Sequence, residues 1–120
     1  MRNQMKSLVV SFLFLSQAIG QTAHVATLQW TDSINPPGTL YNVYRVVGTC
    51  PPATPSPPIN AVFTRIASML GALTYQDKTI TTGTFCFAVS AISNGGESGL
   101  SNVVQVTVIS APTGLTVVIQ

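Results

Sequence analysis

At 120 residues the chain has the length of one domain, yet only 7% of its residues are charged, against about a quarter in soluble domains. The formal net charge of +2 depends on the N-terminus: without Arg2 and Lys6, what remains is Arg45, Arg65 and Lys78 against Asp32, Asp77 and Glu97. That neutral remainder has no basic patch for nucleic acid or an anionic membrane, and it lacks the repulsion that keeps monomers apart.

Residues 1–20 read as a secretory signal peptide. Arg2 and Lys6 form a basic start, Leu8 to Leu15 an apolar run, and Ala18-Ile19-Gly20 a small-residue cleavage site before Gln21. The competing reading, a membrane anchor, needs about 20 apolar residues, and this run stops at Ser16-Gln17. No lipid-attachment cysteine follows it. The mature protein is therefore expected outside the cell, or in the periplasm in transit, with no membrane association after cleavage.

The domain that follows, residues 21–109, shows period-two patterning and no segment of helical period. Leu28 and Trp30 share a face of the first strand, with Ala26, before Asp32-Ser33 and Asn35-Pro36-Pro37-Gly38 end it. In the strand Tyr41 to Val47, Tyr41 and Val43 point inward and Tyr44 is available to the surface. Cys50 to Pro58 is proline-rich and cannot join a ladder, because proline donates no backbone hydrogen bond. Its P-x-x-P spacing lacks the basic flank of a recognition motif, so it reads as a stiff, exposed connector. Ala61 to Met69 gives a shorter strand with Phe63 and Ile66 in contact with the core, and Thr74 to Asp77 another short piece. Phe85, Phe87, Val89 and Ala91 then form the clearest inward face in the chain. Asn94-Gly95-Gly96 tolerates positive φ and leads to a last strand, Asn102 to Val108, placed to pair as a hairpin. Seven or so short strands separated by turns imply an all-β, two-sheet antiparallel sandwich.

Six pieces resemble the fibronectin type III family, in the variety found in bacterial secreted proteins: Leu28-Gln29-Trp30-Thr31, Tyr41-Asn42-Val43-Tyr44-Arg45, Tyr75-Gln76-Asp77, Gly83-Thr84-Phe85-Cys86-Phe87, Val89-Ser90-Ala91-Ile92, and Gly96-Glu97-Ser98 with Ser101-Asn102. Their order implies an immunoglobulin-like sandwich with strands B, C, C′, E, F and G. Two departures stand out. Phe85 occupies the place of the family's corner tyrosine, and strand A is missing, since only nine residues separate Gly20 from Trp30. The resemblance also makes strands C and F antiparallel neighbours, which places Cys50 near Cys86. Two cysteines in an exported chain are expected to pair, whereas with His24 they do not make a zinc site, and no metal or other cofactor is expected.

Catalytic signals are few. His24 reads as a strand residue, and Asp32, Asp77 and Glu97 are not brought together for acid–base work. Gly96-Glu97-Ser98-Gly99-Leu100 superficially resembles a nucleophile elbow, but it lies between strands and reads as a turn. Glu97 itself reads as a solvated turn carboxylate. The chain is therefore expected not to be an enzyme.

Residues 110–120 form a C-terminal extension. Thr113-Gly114-Leu115-Thr116-Val117-Val118-Ile119-Gln120 is β-prone, apolar and uncharged, a hazard if left free, and it resembles the opening of a fibronectin type III domain, the missing strand A. It can be the stub of a second domain, a strand folded back in cis, or a strand donated to another copy. In the resembled fold, only donation to the next molecule enters the A slot in the usual direction. Two functional expectations follow: a secreted filament or assembly subunit whose C-terminal strand completes its neighbour, or a monomeric adhesion module that binds another extracellular protein or a surface glycan, with the tail in cis.

Overall fold

The computed structural model of the protein describes residues 7–15, 23–51 and 62–120. Among these residues lie eight strands and no helix: β1 (Ser7–Leu15), β2 (Ala23–Thr31), β3 (Leu40–Val47), β4 (Thr64–Leu70), β5 (Thr74–Ile80), β6 (Gly83–Ser93), β7 (Gly96–Glu97) and β8 (Val104–Val108). One sheet has the order β1-β2-β5. The other runs β4-β3-β6, with β7 and β8 sharing the far edge of β6. Every pairing is antiparallel. The two-sheet sandwich expected from the strand count is thus the fold.

Its core follows from alternation, since successive strand residues point to opposite faces. Leu28, Trp30, Tyr41, Val43, Phe85, Phe87, Val89 and Ala91 are all buried in one cluster, joined by Leu8, Ala26, Ile80, Val106 and Val108. Trp30 meets Tyr41 edge to face at a ring separation of 5.7 Å, linking the end of β2 to the start of β3 across the sheets. Ile66 packs against this cluster.

Five expectations need correction. Strand A is not missing: β1 pairs with β2 along its whole length, Leu8 opposite Trp30 and Val10 opposite Leu28. The physical reason is that an export-type apolar run and a buried edge strand draw on the same residues, so Leu8-Val9-Val10 satisfies both patterns. Tyr44 is not a surface residue. It is 4% exposed, because Phe63, Cys86 and Ala88 form a second, smaller apolar cluster with it. Phe63 belongs to that cluster rather than to the main core. The last hairpin is interrupted: Asn94 and Gly95 take φ of 53° and 78°, the paired positive values of a two-residue hairpin turn, but the ladder lapses after Glu97 and resumes at Val104. Finally, the C-terminal extension forms no strand. It is exposed from Ile109 to Gln120 and pairs with no described strand, and without a hydrogen-bonded neighbour a segment forms no ladder. The polyproline character of the connector and the cleavage site at Gly20 lie outside the described residues.

Candidate functional site

Each of the three carboxylates is engaged in holding the fold. Asp32 Oδ1 accepts from the backbone N–H groups of Ile34 and Asn35, both at 3.1 Å, and Oδ2 accepts from Asn35 Nδ2 at 2.6 Å and the Tyr41 hydroxyl at 3.0 Å. Partial burial alone pushes the Asp32 pKa up, but these four donors favour the ionised form and bring it below its ordinary value. Burial and the adjacent carboxylate push the Tyr41 hydroxyl up to about 12.

Glu97 is exposed, as expected of a turn carboxylate, but its side chain also reaches back onto the outer face of the β3–β6 sheet. Its Oε2 accepts from Ser90 Oγ at 2.6 Å, from Asn42 Nδ2 at 3.1 Å and from the Tyr44 hydroxyl. Desolvation again raises its pKa, and the donors from Ser90, Tyr44 and Asn42, with the positive charge of Arg65, outweigh it and hold the carboxyl below its ordinary range. Asn42 also accepts from Met69 N–H at 3.0 Å, so the cluster joins β3, β4, β6 and β7.

Asp77 carries the link between the two sheets. Arg45, on β3, donates to Asp77 Oδ2 on β5 at 2.6 Å, and its guanidinium lies 5.7 Å from the centre of the Phe85 ring. Asp77 Oδ1 accepts from the N–H and hydroxyl of Thr79. Phe85 is thus buried under a cation. His24 is buried on β2. Among the described residues no three His, Cys, Asp or Glu side chains form a metal-binding group.

Cys50 and Cys86 form a disulfide with their Cα atoms 5.0 Å apart. It ties the end of β3 to the outward face of β6 beside Phe63 and Tyr44. No described helix is long and apolar enough to cross a membrane.

Among the described residues, the C-terminal segment is exposed and lies in no ladder. Leu115 and Ile119 are each 91% exposed, and Val117 and Val118 each 77%. The molecule measures 70 × 27 × 20 Å, with a radius of gyration of 17.5 Å, well above the roughly 13 Å of a compact domain this size. The twelve residues after Val108 span about 40 Å when extended, which accounts for the long axis.

The strand directions place the two ends of this surface at opposite poles. β8 finishes at Val108 opposite Gly83, at the same pole as the Arg45–Asp77 pair and the end of β1. At the other pole, where β1 begins, Val9, Gln29, Trp30, Thr31, Leu73 and Thr74 line a shallow groove of about 350 Å³. β1 runs antiparallel to β2 and in the same sense as β8. A tail continuing past β8 therefore leads away from the Trp30 pole of its own molecule. The sequence carried the tail's composition but not the groove, which is assembled from β1, β2 and the turn before β5.

No protein-family model matches the sequence, and no curated protein does. Solved structures do. An Fn3-like protein from Clostridium thermocellum is 22% identical, with a TM-score of 0.52 over 92% of this chain and all of that one. The fibronectin type III domain of human fibronectin type III domain containing protein 3 is 18% identical, with a TM-score of 0.61 over 92% of this chain and 90% of that one. A computationally redesigned β-sandwich protein is 13% identical, with a TM-score of 0.61 over 97% and 99% of the two chains. These likenesses, with the strand order, show a fibronectin type III-like β-sandwich fold.

Proposed function

We propose that the protein is an exported, non-catalytic structural subunit whose C-terminal segment adds a strand to a neighbouring copy, building a head-to-tail assembly. The observation that carries this reading is the exposed, apolar segment from Leu115 to Ile119, which has no ladder partner among the described residues. Main-chain pairing with a second molecule supplies such a partner, and burial of Leu115, Val117 and Ile119 stabilises the contact by about 1.5–3 kcal/mol each. The neutral mature chain adds no charge repulsion. The use of all three carboxylates in structural hydrogen bonds supports a non-catalytic role, and the disulfide suits an oxidising compartment outside the cytosol.

The adhesion reading loses its basis in Tyr44, which is buried; the exposed large apolar side chains among the described residues are aliphatic or methionine. A tail folded back in cis would pair within its own chain, and it pairs with no described strand. Sedimentation of the mature protein with and without Thr113 to Gln120 tests the proposal. Assembly that disappears on truncation supports it, and a mature protein that stays monomeric at high concentration overturns it.

A further inference from the structure

We propose that β1 is a removable plug: it fills the edge of β2 in the newly made chain, and its loss on export opens that edge to Leu115, Val117 and Ile119 of a second copy. This rests on the assembly reading above and adds to it the acceptor, the register and the trigger. Two independent descriptions fall on the same residues. Leu8 to Leu15 is the apolar run of an export signal, and Ser7–Leu15 is the edge strand that covers β2. Hydrolysis of the Gly20–Gln21 peptide bond by an export peptidase, with water added across it, therefore removes a structural strand. β2 then becomes an edge, and Trp30, 3% exposed, and Leu28, fully buried, lose the cover of Leu8 and Val10.

The tail replaces what is lost. In β1 the inward residues Leu8 and Val10 flank Val9, which is 56% exposed. In the tail Leu115 and Val117 flank Thr116 in the same alternation, and Ile119 continues it. Leu115 opposite Trp30, Val117 opposite Leu28 and Ile119 opposite Ala26 reproduce the β1 register. In that register Thr116 lies opposite Gln29, as Val9 does now. Only a tail from another molecule runs antiparallel to β2 as β1 does. A tail from the same molecule leaves at the far pole and would have to enter parallel to it. The leader-bearing chain is thus closed, and assembly starts only after processing.

Three forms test this, residues 1–120, 21–120 and 21–112, followed by sedimentation and by the emission of Trp30, the sole tryptophan. The 1–120 form is expected to be a monomer with blue-shifted emission. The 21–120 form is expected to assemble, also with blue-shifted emission, and in a Gln29→Cys, Thr116→Cys variant it should form a disulfide between molecules. The 21–112 form is expected to be a monomer with red-shifted emission that moves back to the blue when a peptide of residues 113–120, but not its scrambled version, is present during refolding. Equal, tail-dependent assembly of the 1–120 and 21–120 forms overturns the plug while leaving the assembly reading intact. Assembly of the 21–120 form that survives loss of the tail overturns the assembly reading itself. An unshifted Trp30 with the peptide overturns β2 as the acceptor.

Discussion

Glu97 shows how a residue read as a solvated turn carboxylate becomes a junction. Its three donors come from Asn42, Tyr44 and Ser90, two of them on a strand more than fifty positions away, so no local pattern announces the cluster. Replacing it (Glu97→Gln) removes a charged acceptor and should cost about 1–2 kcal/mol near neutral pH, read by urea denaturation. The pH dependence has a definite sign. Both Asp32 and Glu97 are held below their ordinary pKa values in the folded state, so their stabilisation is complete above the unfolded values, near pH 4, and is lost as pH falls through the lower folded values. Denaturation midpoints should therefore drop below about pH 4, and the Glu97→Gln variant should show a shallower acid limb. An unchanged acid limb would remove Glu97 from the account. Arg45 makes the corresponding link between sheets. Arg45→Met leaves the buried Asp77 without its cation and should destabilise the fold by about 3 kcal/mol, whereas a loss within about 0.5 kcal/mol, the range of an ordinary surface substitution, would mean that the pair contributes little.

At the scale of elements, what was legible was what period two encodes. The inward faces of β2, β3 and β6 alternate plainly, and Asn94-Gly95 marks its turn by residue type. β1 was illegible as a strand for the opposite reason, since its apolar run has two physical uses. The break between β7 and β8 was also unreadable, because serines bridge it. Ser98 donates its N–H to the Ala91 carbonyl and accepts the Ala91 N–H on its hydroxyl, and Ser101 does the same for Val89. Each serine thus satisfies both backbone groups of a buried residue without continuing the strand. Ser98→Ala with Ser101→Ala should leave two N–H groups unpaired and cost about 1–3 kcal/mol each, with faster amide exchange at Ala91 and Val89. The pairing of Cys50 with Cys86 was accessible only through the fold that the sequence resembles, because it depends on β3 lying beside β6. With a sequence separation of 36, the bridge should contribute about 4 kcal/mol by chain entropy. The Cys50→Ser, Cys86→Ser variant should lose stability on that order in denaturant titration.

For the whole molecule, the long axis and the charge balance bear on the same point. A sandwich about half as long as the 70 Å particle carries a bare apolar segment at one pole and a groove beside Trp30 at the other. Left alone, such a segment is a site for indiscriminate pairing; given one acceptor of matching direction, it becomes a joint. The apolar, uncharged composition of the tail was legible in residues 113–120, whereas the groove was not, since it depends on how β1 sits on β2. The most direct measurement is amide hydrogen exchange on the assembled mature protein. The account predicts that Leu115 to Ile119 are protected to a degree comparable with Phe85 to Ala91, as residues of a ladder strand. Exchange in that segment as fast as in a free peptide would contradict it.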